Sequence, residues 1–226
     1  YWRKQAFPHY KANRKKARED SDVNWSQIFN CLNTIRDELR DNFPYRVIQV
    51  EGAEADDIIA TLCMQYGSLL RTKEKILILS GDKDFVQLQV YANVDQLDPV
   101  QSKNIKHDNP HQYLREHILK GDRGDGVPNI LSPDDCFVKG ERQKTLSKKR
   151  FEQLISIADV STVLSEAEYK NFQRNEMLID FHMVPQAISA SIMEKYESEA
   201  NKTKGNLLNY FIKHKLKLLT AHINEF

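Results

Sequence analysis

The sequence predicts an α/β protein, with a parallel-sheet core in residues 1–107 and a helical region in residues 108–226. Three observations predict it. KILILS at 75–80 is a continuous apolar run of strand length, as expected for a strand covered on both faces of a parallel sheet. Ahead of it stand a strand-like segment, YRVIQV at 45–50, and a helix-like one, EADDIIATLCMQY at 54–66, in the order of a βαβ unit. Beyond Leu146 apolar residues recur at the three- and four-residue spacing of helices.

Each element has its own justification. Trp25, Ile28, Phe29, Leu32, Ile35 and Leu39 mark an amphipathic helix over 24–40, with Trp25 and Phe29 expected in the core. The sequence NFP at 42–44 ends it. The helix over 54–66 opens with acids, which suit the positive end of its dipole. A further strand is expected over 90–97. A helix over 111–120 leads into the turn-rich GDRGDGVPN, and helices are expected over 187–196 and 206–226.

Composition sets limits. The chain has 226 residues, 40% hydrophobic and 29% charged, a globular rather than a disordered balance. No apolar run reaches the ~18 residues of a membrane span. Cys31, Cys63 and Cys136 are too widely spaced for a disulfide framework or a zinc site and suggest a reducing compartment. The seven histidines form no metal-ligand spacing. The net charge of +1 hides segregation. Residues 1–18 carry Arg3, Lys4, Lys11, Arg14, Lys15, Lys16 and Arg18 and no acid, and a second basic stretch runs through Lys139, Arg142, Lys144, Lys148, Lys149 and Arg150. Such blocks point to a polyanionic partner. Trp2 and Phe7, beside the first block, could stack on a nucleotide or pack inside.

Three acidic groups stand at element ends: Glu54 and Asp56, then Asp82 and Asp84, then Asp122 and Asp125. Sites in parallel sheets form just beyond the C-terminal strand ends, so the first two groups should converge. Asp82 and Asp84, two apart in extended chain, should point the same way. Carboxylates packed together repel and take up protons unless a cation joins them. An all-oxygen set suits Mg²⁺ or Mn²⁺. Two such ions about 4 Å apart suit phosphodiester hydrolysis, one activating water and the other stabilising the leaving oxygen.

YKANR at 10–14, EADD at 54–57, SGDKDFVQL at 80–88 and GDRGDGVPNI at 121–130 occur in that order, with MLIDF at 177–181 and HINEF at 222–226 behind them. This pattern resembles the 5′-nuclease, or flap endonuclease, family and its phage branch, across essentially the whole chain. The resemblance implies a PIN-like core, a helix-turn-helix variant over about 108–154, and a 5′ to 3′ exonuclease and flap endonuclease that removes RNA primers and adjacent DNA in phage lagging-strand replication. It implies two Mg²⁺ ions, with Mn²⁺ as a substitute. Asp56 and Asp82 would be direct ligands, and Glu54, Asp84, Asp122 and Asp125 would complete the sites. Lys11 and Arg14 would approach the scissile phosphate at the start of a helical arch, while Arg3, Lys15, Lys144, Lys148 and Lys149 would contact nucleic acid. The helix-turn-helix segment would hold a monovalent cation.

RNA–DNA hybrids and flapped or forked duplexes would be the substrates. A single-strand binding protein and a sliding clamp would be partners, and the protein a monomer in the cytoplasm of an infected bacterium. Two departures from the family stand out. Its core opens with a strand bearing an Asp, and a second Asp precedes YKANR; both lie ahead of Tyr1, so an N-terminal piece is expected to be missing. The glycine-rich hairpin after VP is replaced by NILSPDDCFVKGERQKTLSKK. A chain truly starting at Tyr1 could instead be a non-cleaving branched-DNA binding module. An RNA-directed PIN-like nuclease fits less well, because the basic helix-turn-helix serves duplex grip.

Overall fold

A computed structural model of the chain describes residues 1–67 and 74–226. The expected α/β class holds, with a small sheet and a helical C-terminal region. Helices α1 (Trp2–Ala6), α2 (Ala12–Glu19), α3 (Trp25–Asn42) and α4 (Ala55–Tyr66) precede the sheet. Strands β1 (Ile76–Leu79), β2 (Val94–Asp98) and β3 (Lys103–Ile105) follow, with a buried 3₁₀ helix (Lys83–Val90) between the first two. Helices α5 (Pro110–Lys120), α6 (Lys148–Ser156), α7 (Glu166–Ile179), α8 (Gln186–Ser198), α9 (Leu207–Lys213) and α10 (Lys217–Ala221) complete the chain.

The sheet order is β1-β2-β3, with β1 and β2 parallel and β2 and β3 antiparallel. Three expectations are corrected here. Residues 45–50 form no strand. Their apolar alternation finds no sheet neighbour among the described residues, and without a partner the backbone groups have no ladder to join. The run at 75–80 is not covered on both faces: Ile78 is buried, whereas Leu77 is 54% and Leu79 62% exposed, so one face of β1 lacks a covering layer among the described residues. The strand expected over 90–97 begins only at Val94, because the 3₁₀ helix, buried all round at Phe85, Val86, Gln87 and Leu88, runs on to Val90.

Helix α3 forms as the pattern requires, but none of its residues is buried. Trp25 is only partly covered, Phe29 is exposed, and Ile28, Leu32 and Ile35 are exposed as well. The expectation that Trp25 and Phe29 fill the core is therefore wrong; they pack on each other, ring centroids 6.1 Å apart.

Three buried clusters among the described residues organise the rest. The largest joins Phe7 and Tyr10 to Ile118, Leu119, Val127 and Ile130 and to apolar residues of α6 and α7. Each such side chain contributes about 1.5–3 kcal/mol on burial. It fixes the chain before α2 against the loop after α5. A second gathers Ala60, Cys63, Ile78, Phe85, Leu88, Val94 and Phe181, and so fixes α4, the sheet and the 3₁₀ helix together. The third closes the C-terminal helices on Phe43. Cys31, Cys63 and Cys136 are unbonded thiols. No helix among the described residues is long and apolar enough to cross a membrane.

Candidate active site

The three acidic groups reach one place by different routes. Glu54 is the N-cap of α4 and forms a capping box with Asp57 at the third helical position. Successive helical residues point about 100° apart, so Asp56 and Asp57 face different ways. Asp57 is fully buried, bonded by Trp2 Nε1 at 3.1 Å and by Arg3 Nη1 at 2.6 Å. Asp56 lines the cleft instead.

Asp82 caps the 3₁₀ helix by accepting from the Asp84 N–H at 3.0 Å, so Asp84 sits in a helical turn rather than in extended chain. Gln96, buried on β2, donates to the backbone oxygens of Ser80 at 2.9 Å and Asp82 at 2.6 Å and holds this hand-over in place. Asp122 and Asp125 occupy the turn after α5, closed by Asp125 N–H donating to Asp122 Oδ1 at 3.1 Å. Gly121 begins that turn at φ 69°, where a Cβ would lie 2.4 Å from Val127 O. Buried Asn175 of α7 pins the turn, donating to Ile118 O at 2.8 Å and Pro128 O at 2.9 Å.

Asp56, Asp84, Asp122 and Asp125 thus line one cleft with Tyr10 and Arg3, over an apolar floor that includes Leu178, Ile179 and Phe181. The space they enclose is about 10 Å³, the scale of one water or a bare cation. Beside it a hollow of about 450 Å³ opens between α2 and the 137–140 stretch.

The charges are strongly coupled. Burial, then Asp82 and Glu54, push Asp56 up to about 6 against the pull of Lys11 and Arg3. Burial pushes Asp84 up to about 7, with Asp82, Asp122 and Asp125 adding to it and His117 opposing. Burial also raises Asp125 against the cation Lys11 and the Tyr10 hydrogen bond. Burial would raise Asp122 too, but the His117 ring facing it and hydrogen bonds from the backbone of Asp125 and Gly124 bring it below its ordinary value.

The basic residues divide. Lys11 Nζ lies 2.6 Å from Glu54 Oε1 and 3.5 Å from Asp125 Oδ2. With Arg3 and Tyr10 it outweighs burial and holds Glu54 below the usual carboxylate range. Its backbone is left-handed at φ 55°, fixed by its N–H donating to Asp125 O at 2.7 Å. Such a conformation costs a non-glycine residue about 1–2 kcal/mol, so the turn over-determines it. Arg14 Nη2 lies 2.5 Å from Asp125 Oδ1, and half of that side chain stays open to solvent. Lys15, Lys144, Lys148 and Lys149 are exposed; Lys15 faces Glu19 at 3.8 Å and Lys148 faces Glu152 at 3.8 Å.

Arg3 is the exception to the expected nucleic-acid set. It is 2% exposed, paired with Asp57, and donates from Nε to Leu178 O at 2.8 Å, so its guanidinium is engaged inside the protein. Trp2 and Phe7 are buried too, which corrects the thought of base stacking.

Two participants escaped the sequence reading. Tyr10 O–H stands 2.8 Å from Glu54 Oε2 and 2.8 Å from Asp125 Oδ2, and its single hydrogen can serve one at a time. Burial and these acids hold it protonated, well above the usual phenol range. The sequence signal was present in YKANR. His117 on α5 lies between Asp84, with Nδ1 3.4 Å from Oδ1, and Asp122, with Nε2 3.6 Å from Oδ2. The histidines show no metal-ligand spacing along the sequence, yet in the fold donor atoms of Asp84, His117 and Asp122 all lie within 4.8 Å of one another, a group that could hold an ion. No spacing motif announces it, because α5 meets the 3₁₀ helix only in the fold.

Comparison with known proteins identifies the family. Residues 1–118 match the family described as the 5′-3′ exonuclease, N-terminal resolvase-like domain, and residues 110–226 match the one described as T4 RNase H, C terminal. Ribonuclease H of Enterobacteria phage T4 is 36% identical over 232 aligned residues, covering 100% of this chain and 75% of that protein. DNA polymerase I of Rhizobium leguminosarum is 30% identical over 187 residues, covering 79% of this chain and 16% of that protein. Among solved structures, the bacteriophage T5 flap endonuclease in complex with DNA and metal ions superposes with a TM-score of 0.60 at 16% identity, covering 88% of this chain and 79% of that one. The fold is shared with that enzyme, and the chain belongs to the 5′-3′ exonuclease family, in the group carrying the T4 RNase H C-terminal region.

Proposed function

We propose that the protein is a metal-dependent 5′ to 3′ exonuclease and flap endonuclease that removes RNA primers and adjacent DNA during phage lagging-strand replication. The observation that carries this reading is the cleft itself: carboxylates from three separate sequence groups crowd together, and burial, with repulsion between neighbouring carboxylates, raises Asp56 and Asp84 despite the cations nearby. A donor set rich in hard oxygens in so small a space fits Mg²⁺ or Mn²⁺. When bound, two such ions supply an activated water and stabilise the leaving oxygen.

The chain's own residues do the rest. Asp56 and Asp82 are assigned as direct ligands, with Glu54, Asp84, Asp122 and Asp125 completing the two sites. Tyr10 and Lys11 hold Glu54 and Asp125 in fixed orientation. Lys11 and the half-open guanidinium of Arg14 bring positive charge to the mouth of the cleft, where a scissile phosphate would gather negative charge. Lys15, Lys144, Lys148 and Lys149 are assigned to the phosphate backbone of RNA–DNA hybrids and flapped or forked duplexes. In this reading residues 1–107 form the nuclease part and residues 108–226 the duplex grip, where α5, the following loop and α6 form the helix-turn-helix variant and hold a monovalent cation. A single-strand binding protein and a sliding clamp are the expected partners of a monomer working in the cytoplasm of the infected host.

The test uses 5′-labelled flapped DNA and RNA–DNA hybrid with Mg²⁺, Mn²⁺ or EDTA. Cleavage of both substrates that stops in EDTA is expected. Full-rate cleavage in excess EDTA would refute metal dependence. Tight binding to flapped duplex without cleavage under any metal would make the chain a branched-DNA binding module instead.

A further inference from the structure

Building on the reading of the cleft as a divalent-cation site, we propose that His117 supplies an imidazole nitrogen to the ion held at Asp84 and Asp122, biasing that position toward Mn²⁺ over Mg²⁺. The placement is specific. His117 stands in the last turn of α5, and α5 packs along the 3₁₀ helix that carries Asp84 and runs directly into the turn that carries Asp122. Each ring nitrogen faces a different carboxylate, at 3.4 Å and 3.6 Å. Charge-assisted hydrogen bonds normally close to about 2.7–2.9 Å, so neither approach is drawn in to a full ion pair.

The ring is held from the side rather than by its nitrogens. Tyr113, one turn earlier on α5, meets it edge-on, ring centroids 6.1 Å apart at 73°. The side chain is mostly buried, so few orientations remain open to it. One donor atom from each of Asp84, His117 and Asp122 lies within 4.8 Å of the other two, close enough to share one ion. A carboxylate has two oxygens, so one nitrogen can face the ion while the other donates to a carboxylate. That is the usual way a metal-bound histidine keeps its tautomer.

The chemistry sets the preference. Mg²⁺ favours an octahedron of oxygens and gives up its waters reluctantly. Imidazole nitrogen is a softer donor than carboxylate oxygen, and Mn²⁺, though the weakest binder of the divalent first-row ions from Mn²⁺ to Zn²⁺, accepts it more readily than the harder Mg²⁺. Adding one nitrogen to an otherwise carboxylate set therefore strengthens Mn²⁺ more than Mg²⁺.

Pulsed EPR of Mn²⁺ bound to the whole chain reads the inference directly. The parent should show modulation from a directly coordinated imidazole nitrogen, absent in His117→Gln. Calorimetric titration should show Mn²⁺ affinity falling about tenfold or more in that variant, with Mg²⁺ affinity falling far less. Mn²⁺ bound to the parent without a coordinated nitrogen, or equal loss of both affinities, would overturn the role of His117 and leave the cleft as a carboxylate metal site. A parent that binds neither ion would overturn both. The EPR measurement on the parent holds even if the variant folds poorly.

Discussion

Replacing Asp56 by Asn should stabilise the metal-free protein, although it removes a residue assigned to the active site. Its carboxyl moves from an ordinary 3.8 to about 6, by burial first and then by repulsion from Asp82 and Glu54. That is about 2 units, or about 3 kcal/mol at 1.36 kcal/mol per unit. The folded state binds this proton more tightly than the unfolded chain does. The cost of the charge is therefore absent below about pH 4, grows toward pH 6, and is fully present above it. Asparagine keeps the shape and carries no charge. In EDTA at pH 8, Asp56→Asn should be more stable than the parent by about 1–3 kcal/mol, the lower end allowing for solvent screening of a partly exposed group. For a chain of this length that is a rise of about 3–10 °C in Tm, shrinking to nothing near pH 4. Mg²⁺ at about 100 times its Kd should return about 2.7 kcal/mol to the parent and much less to the variant. Thermal melts followed by circular dichroism at pH 4, 6 and 8, with EDTA or Mg²⁺, measure all of this. A variant that is less stable than the parent at pH 8 in EDTA, yet gains as much from Mg²⁺, would refute the reasoning.

Lys11→Ala and Arg14→Ala should each slow single-turnover cleavage at saturating flapped duplex, because loss of a donor to developing charge typically costs about 3–4 kcal/mol; unchanged saturated rates with weaker binding would place them on the backbone instead. Neutralising Lys144, Lys148 and Lys149 together should leave the saturated rate alone and flatten the salt dependence of duplex binding by about 0.9 log units for each phosphate no longer neutralised, and an unchanged slope would remove them from the duplex surface. Arg3→Ala should lower stability by about 3–5 kcal/mol, since it strands the buried Asp57 charge. A normal melting temperature with reduced DNA affinity would instead return Arg3 to the nucleic-acid set.

The fold was legible where local pattern and tertiary role agree. Helices α3, α4, α5 and α8 follow from apolar spacing and caps, such as Asn109 accepting from the Gln112 N–H at 3.0 Å. Pattern failed where burial depends on a neighbour. Residues 45–50 alternate like a strand but have no ladder to join, and the apolar face of α3 stays exposed. KILILS reads as a central strand, yet only one face of β1 is covered. Apolarity records what a segment can bury, and the identity of what covers it lies elsewhere in the chain.

The site was legible to the extent that its members sit at element ends. Glu54, Asp56, Asp82, Asp84, Asp122 and Asp125 are visible because caps and turns leave a sequence signature; the strand-end rule predicts a meeting of the first two groups alone, and of these only Asp82 and Asp84 follow a strand. The same signature cannot separate Asp56 from Asp57. Adjacent acids at the head of one helix read alike, yet Asp57 turns inward to Arg3 and Trp2 while Asp56 turns to the cleft. Arg3 fails for the matching reason: in a run of basic residues nothing marks the one whose partner is buried. His117 has no signature at all, because its partners lie 33 positions before it on the 3₁₀ helix and 5 after it in the turn, and only the packing of α5 brings both to one ring. Charge patterning thus finds the residues a cleft collects along the chain, whereas the residues that orient and tune them emerge from the packing of one element on another.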